Sequence, residues 1–303
     1  MSPSRPQPAA ARLKRISHLL AEAGIALKKS LGQNFLVNQG ALGKIADSAG
    51  AGPETFVLEV GCGLGNLTAL LARHAGEVLA VELDERFRPL HERELGGVAN
   101  VRFHYGDFLR MDLDAVTKMA AGREIRVVGN IPYHITSPIL FRLLEAPFDP
   151  VRICLLMQRE VARRMAARPG SRDNGILAVK VRTHYEARIA FDVAPGSFLP
   201  PPKVTSSLVR LTPRADGNLL PNAVQRRAFF AFVDAAFAQR RKFLAGSLAR
   251  ASGGAVAREA VDAALGALGL PLTARAEALS TEELLALFRA LGEPGLPTMR
   301  REM

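Results

Sequence analysis

The 303-residue sequence has no tryptophan, three tyrosines and two cysteines. Any stacking on a flat ligand must therefore fall to Phe, Tyr, His or Arg. The two cysteines, Cys62 and Cys154, are too few and too far apart for a disulfide framework or a zinc site. Cys62 lies between glycines and Cys154 in an apolar run, so both read as reduced thiols. No apolar stretch reaches the roughly 18 residues needed to span a membrane. The N-terminus is rich in Pro, Ala and Arg and has no apolar segment of the signal-peptide kind. Internal repeats are lacking too. The expectation is a cytoplasmic protein without membrane span or metal centre.

Hydrophobic residues make up 48% of the chain, enough for a sizeable core, so global disorder is not expected. Forty Lys and Arg stand against 29 Asp and Glu, a net charge of +11. The excess is uneven. Residues 1–30 hold six basic residues and one acid, residues 151–188 nine and three, and residues 201–303 fourteen and nine. Residues 50–120 are richer in acids. A solvated basic surface would explain the total. Basic flanks around a more acidic centre suggest instead a grip on a polyanion around a small-molecule site.

Residues 11–27 carry helical apolar spacing at Ile16, Leu19, Leu20 and Ala23. From residue 55, short apolar runs alternate with helical stretches. Residues 55–60, 77–83, 101–107, 124–130 and 151–157 read as strands; 64–75, 84–95, 137–145 and 158–167 read as helices. Nearly continuous apolar strands imply a mostly parallel sheet covered on both faces, a Rossmann-like α/β domain. Two more strand candidates follow at 186–193 and 206–212. After Pro213 the patterning is helical only, over residues 222–290. The expected organisation is an N-terminal extension (1–27), an α/β domain (28–213) and a small all-helical domain (214–303), with loose ends.

The first strand runs into Glu59-Val60-Gly61-Cys62-Gly63-Leu64-Gly65, a turn whose glycines let backbone approach a ligand closely. Glu82 follows 21 residues after Gly61, at the end of the next strand, where an acid can accept two ribose hydroxyls. A dinucleotide would want G-x-G-x-x-G and no acid beside its pyrophosphate. The spacing here is G-x-G-x-G, and Glu59 opens the loop. S-adenosylmethionine has no phosphate and carries an ammonium and a sulfonium that Glu59 could favour, so the loop reads better as a methyl-donor site. Asp107, at the end of the third strand, could accept an adenine amine beside Phe108, or could simply cap the next segment.

Asn130-Ile131-Pro132-Tyr133 follows the fourth strand, at the carboxyl edge where ligands of open α/β sheets bind. Asn and Pro both favour turns, which would explain it blandly. It also suits methylation of an adenine N6, whose lone pair is delocalised into the ring. The Asn130 side-chain oxygen and the Pro132 carbonyl could hold the two amine hydrogens and aim the lone pair. Tyr133 could stack on a base drawn out of its helix or loop.

On these residues the chain resembles the rRNA adenine N6-dimethyltransferases, from about Lys28 to about Leu291. The motifs are Lys29 to Leu36, Glu59 to Gly65, Glu82, Gly106-Asp107, Asn130 to Tyr133, Phe198 to Val204, and Gln239-Arg240-Arg241-Lys242. Each alone is weak; together they are specific. The resemblance implies S-adenosylmethionine as methyl donor and no metal. It places Asn34 and Leu36 against the donor, Gly61 under its amino-acid part, Glu82 on the ribose and Asp107 on the adenine. It gives the target base to Asn130 and Tyr133, with Phe198 on the other face. The implied target is two adjacent adenosines in the 3′-terminal hairpin loop of 16S rRNA, each dimethylated, in the assembling small subunit, by a monomeric enzyme. Ile131 leans instead towards the macrolide-resistance branch, which dimethylates one 23S rRNA adenosine. Thr136-Ser137-Pro138, the Gln-Arg-Arg-Lys run and the long helical tail resemble the 16S branch. Arg240, Arg241 and Lys242 would grip rRNA phosphates, or else form a solvated helix face. A non-catalytic assembly factor and a DNA adenine methyltransferase stand as further alternatives. The first should have lost Glu82 and the Asn130–Tyr133 turn, and the second more often has Asp or Ser in place of Asn130.

Overall fold

The computed structural model describes residues 20, 22, 24 and 33–294. Most of the helix expected over 11–27, and Lys29 to Gly32 of the first motif, lie outside the described residues. The secondary structure begins with β1 (Phe35–Leu36), α1 (Gln39–Ala49), β2 (Thr55–Val60), α2 (Asn66–Leu71), β3 (Glu77–Glu82) and α3 (Arg88–Leu95). It continues with β4 (Val101–Tyr105), α4 (Leu113–Ala120), β5 (Glu124–Asn130), α5 (Thr136–Leu144), β6 (Arg152–Gln158) and α6 (Arg159–Met165). Then come α7 (Ile176–Arg182), β7 (Tyr185–Val193), β8 (Phe198–Leu199) and β9 (Ser206–Pro213). The helices α8 (Ala223–Ala236), α9 (Leu244–Ala251), α10 (Arg258–Ala267) and α11 (Thr281–Ala290) follow.

Seven strands form one sheet in the order β4-β3-β2-β5-β6-β9-β7. The five from β4 to β6 are parallel, and β9 runs antiparallel to β6. Every residue of β2 and β3 is buried. Successive side chains of a strand point to opposite faces, so the sheet is covered on both, which is why these segments are apolar throughout. The edge strand β4 alternates between exposed and half-buried residues. Strand order reverses between β2 and β5, and their carboxyl ends are the place where such sheets bind ligands. This is the Rossmann-like α/β architecture expected from the alternation of strands and helices.

Helices α1 and α4 were not legible as elements. Asn38 caps the first, its side chain accepting the Ala41 N–H at 3.0 Å, and Gly50 closes it in the left-handed region at φ 60°. Asp112 caps the second through the N–H groups of Asp114 and Ala115. Gly129, near the end of β5, answers to a close approach: a Cβ there would stand 2.7 Å from the Val60 carbonyl oxygen of β2.

The chain forms two compact units, but they do not divide at Pro213. One holds the residues through Ala162 together with Arg188–Thr212; the other holds Arg163–Ala187 with everything from Pro213. The expected contiguous boundary after 213 therefore misplaces residues 163–187. Long-range polar contacts explain their membership. Lys180 of α7 pairs with Asp234 of α8 at 2.8 Å, both largely buried. Asn174 donates to the carbonyls of Glu277 and Leu279 at 2.8 and 3.3 Å. Arg182 reaches the Thr281 hydroxyl at 3.2 Å. The second unit's core includes Phe229, Phe232 and Phe288, with ring centroids 5.4–6.2 Å apart. Its last helix carries a capping box, Ser280 and Glu283 satisfying each other's backbone N–H.

Candidate active site

A cleft of about 1050 Å³, counted to its open mouth, lies over the carboxyl ends of β2, β3 and β5 and is lined from Gln33 to Ile139. Its floor is the glycine turn. Gly61, Gly63 and Gly65 have φ of 74°, 53° and 74°, a region that side chains disfavour. A Cβ on Gly63 would meet the Phe35 ring at 2.9 Å, so two kinds of constraint keep this residue bare.

Glu82 ends β3 and is buried, with both carboxylate oxygens engaged by backbone. The N–H of Gly63 donates to Oε2 at 2.7 Å and that of Asp84 to Oε1 at 2.9 Å. Burial raises the Glu82 pKa, against the lowering by these two donors. Each oxygen keeps further acceptor capacity. Hydroxyl donors from a ligand would stabilise its charged form. Glu59 is also buried, at the end of β2, and accepts the Thr68 hydroxyl at 2.6 Å. Burial pushes its pKa up to about 7, partly offset by Thr68 and reinforced by the like charge of Glu82. A cation beside it would restore the charge that burial suppresses.

Asp107 lines the cleft and caps the turn after β4, accepting the Leu109 N–H at 2.9 Å. Its other oxygen lies 3.8 Å from the Arg110 guanidinium. Phe108 and the half-exposed Leu83 line the same region. The carboxylate that caps this turn thus also faces the cleft.

Asn130 ends β5. Its Nδ2 donates to the Asn34 backbone carbonyl at 3.0 Å, which leaves Oδ1 as acceptor. Asn34 therefore serves the site through its carbonyl, in a segment fixed by β1 pairing with β8. The Pro132 carbonyl accepts the Ile135 N–H at 3.2 Å and lies 3.4 Å from the Thr136 hydroxyl, so it is a poorer free acceptor than the sequence suggested. Tyr133 is pinned by a 2.6 Å hydrogen bond between its hydroxyl and that of buried Ser206 on β9. Burial raises the Tyr133 phenol pKa, so the ring is held as a neutral plane.

The cleft brings together Asn34, Leu36, Gly61, Glu82, Asp107, Asn130, Pro132 and Tyr133. Phe198 is different. It is 3% exposed and packed with Leu36, Leu42 and Leu208, and it is not among the residues lining the cleft. Pairing with Leu36 across β1 and β8 draws it into the core beside the cleft. Thr68 and Ser206 are the residues that sequence reasoning missed. Neither lies in a motif that carries chemistry, and only their contacts identify them. In the second unit Arg240, Arg241 and Lys242 are exposed, and Arg240 donates to the Arg172 carbonyl at 2.8 Å. Among the described residues no group of three or more His, Cys, Asp or Glu could hold a metal ion. No described helix is long and apolar enough to cross a membrane.

A profile of the ribosomal RNA adenine dimethylases matches residues 24–291. The chain belongs to that family. This dimethylase is 40% identical over 281 residues to the ribosomal RNA small subunit methyltransferase A of Geobacillus thermodenitrificans, covering 91% of this chain and 95% of the relative. It is 38% identical to the protein of the same name in Shouchella clausii, covering 91% and 94%. Among solved structures it resembles the 23S rRNA methyltransferase ErmE, with a TM-score of 0.63 and 32% identity over 86% of this chain and all of that one. A dimethyladenosine transferase from Plasmodium falciparum gives a TM-score of 0.69 and 25% identity, over the same 86% and all of that chain. The dimethylase is thus an S-adenosylmethionine-dependent rRNA adenine methyltransferase, and its cleft is the place to look for both substrates.

Proposed function

We propose that this dimethylase methylates the N6 of two adjacent adenosines in the 3′-terminal hairpin loop of 16S rRNA, each twice. It does so as a cytoplasmic monomer acting on the assembling small subunit. The observation that carries the reading is Asn130. The Asn34 carbonyl takes its amide N–H, so its Oδ1 is the acceptor left at the carboxyl end of β5, beside the glycine turn at the end of β2. The small-subunit relatives, which match nearly end to end, support the 16S target.

The residues divide the work. S-adenosylmethionine, when bound, supplies a methyl group already activated by positively charged sulfur. Glu82 accepts the ribose hydroxyls, Asp107 the adenine amine, and Glu59 offers negative charge towards the cationic end. Gly61 and Leu36 shape the floor and wall. Asn130 Oδ1 accepts one N6 hydrogen of the target base and turns the lone pair towards the methyl group, while Tyr133 stacks on the ring. As the new C–N bond forms and the S–C bond breaks, the N6 proton leaves to water. Because the Pro132 carbonyl is already engaged, orientation rests mainly on one acceptor. A site of that kind also accepts the monomethylated amine, which has a single hydrogen left. Arg240, Arg241 and Lys242 grip rRNA phosphates.

A second reading has specific support. Ile131 and the likeness to ErmE favour a 23S rRNA target. One experiment separates them. Subunits from a strain lacking the gene are incubated with protein and donor, and both rRNAs are examined by mass spectrometry. Four methyl groups on two adjacent 16S adenosines are expected. Modification confined to 23S rRNA would transfer the protein to the other branch.

A further inference from the structure

His91 lies on α3, outside every motif read from the sequence, and is 1% exposed. Its Nε2 stands 2.7 Å from the Gly63 carbonyl oxygen. A carbonyl only accepts, so Nε2 carries the proton. Its Nδ1 stands 2.9 Å from the Tyr105 hydroxyl of β4. Burial lowers the imidazole pKa, which keeps the ring neutral and makes Nδ1 the acceptor of that hydroxyl. The ring stacks on Phe103 with centroids 4.4 Å apart and an angle of 8°. Polar groups nearby include Cys62, its sulfur 3.9 Å from Nε2, Arg88, whose guanidinium lies over the Tyr105 ring at 4.1 Å, and Glu92, whose charge acts on the Tyr105 phenol.

Gly63 is the link to the cleft. Its N–H donates to Glu82 Oε2 at 2.7 Å, and its carbonyl takes the His91 proton. The Phe35 ring closes off the side where a Cβ would project. A glycine at φ 53° has wide conformational freedom unless its peptides are fastened on both sides. Here one peptide is fastened by the ribose acid and the next by His91.

We propose that His91 is a positioning residue for methyl-donor binding: through Gly63 it sets the glycine turn and the Glu82 carboxylate in the geometry that receives the donor. It touches neither substrate and takes no part in proton transfer. The inference rests on the reading of the cleft as the donor site.

The test compares His91→Leu, which keeps apolar volume but cannot donate, with His91→Gln, whose amide can donate to the same carbonyl. Donor affinity is measured by calorimetry, initial rates at varied donor, and folding by thermal unfolding. Losing one buried hydrogen bond should weaken donor binding by about 3- to 10-fold in His91→Leu. KM for the donor should rise to match, with kcat falling less than KM rises, and His91→Gln should recover most of the loss. A His91→Leu protein with lowered Tm but wild-type donor affinity would reduce His91 to a packing residue and overturn the proposal. So would a fall in kcat at unchanged KM. If His91→Leu does not fold, Tyr105→Phe serves instead, since it removes only the hydroxyl that fixes Nδ1. It should weaken donor binding by about 2- to 3-fold, and unchanged affinity would overturn the proposal equally. Wild-type protein that fails to bind S-adenosylmethionine would instead remove the reading of the cleft itself.

Discussion

Around Glu82 each carboxylate oxygen is held by a backbone N–H, and the glycines below it have no alternative side-chain packing. The Asn130–Tyr133 turn is fastened mainly by two side-chain hydrogen bonds, Asn130 to the Asn34 carbonyl and Tyr133 to Ser206. The first region is backbone-built and buried, and it suits a ligand that never changes. The second is half-buried and must admit, by the proposed function, an amine bearing no methyl group and then one. The first is fixed through its own backbone, the second through side chains reaching to other segments of the chain.

The sharpest way to break this contrast is Asn130→Ala. If Asn130 aligns the nucleophile, turnover should fall by about 100-fold or more, the scale of a misplaced reacting group. Donor affinity should stay within a few-fold. Near-normal methylation by the variant, measured by transfer of labelled methyl groups, would deny the turn its role.

The donor half should betray itself through pH. Burial pushes the Glu59 carboxyl up to about 7 in the folded protein, from an ordinary value of 4.5. Between those values the folded state keeps a proton that the unfolded state gives up, so stability falls as pH rises through the window and levels off above 7. At about 1.4 kcal/mol per pH unit the loss amounts to about 3 kcal/mol. A bound cation reverses the preference, so donor affinity should rise over the same range. Denaturant unfolding of the free protein from pH 4 to 8 should show the slope and Glu59→Gln should flatten it. A slope unchanged in Glu59→Gln would place its origin elsewhere.

Glu82→Ala should weaken donor binding by about 1–3 kcal/mol, the usual cost of losing a hydrogen bond to a charged group. Calorimetry giving wild-type affinity would remove Glu82 from the ribose. The smallest effect is expected far from the chemistry. Replacing Arg240, Arg241 and Lys242 together by Ala should lower the log–log salt slope of RNA binding by about 2, given roughly 0.7 to 0.9 per phosphate contact. Donor binding should be untouched. An unaltered slope would return the three to a solvated surface.

Legibility in the sequence followed how local each cause was. Strands β2, β3, β5 and β6 were readable because both faces of the sheet are covered and the runs are apolar without interruption. The glycine turn, Glu82 and Asn130 were readable because each sits at a strand end, a position the patterning had fixed. Helix α1 is hard to read from sequence because Gly40 and Gly43 weaken its pattern, although Asn38 offers a cap. The membership of residues 163–187 hangs on Lys180 meeting Asp234, more than fifty positions away, and no local pattern records it. The burial of Phe198 is hidden from the sequence for the same reason: its strand partner is β1, at the other end of the unit's chain. The motif told which residues belong together, and only the pairing of strands told which of them face the cleft.

Gly129 has a consequence for distance. The glycine turn and the Asn130–Tyr133 turn, which the proposed function gives to methyl donor and acceptor, follow neighbouring parallel strands, β2 and β5, whose spacing is set by amide hydrogen bonding at about 4.8 Å. The absent side chain at Gly129 lets that spacing persist to the last pair of residues before the cleft. The spacing of the two turns is therefore ruled off by the backbone ladder, a unit of length that does not depend on the side chains around the pocket. Evolution within this scaffold is free to change what is presented at either end of the ruler, but the interval between the marks is inherited with the sheet.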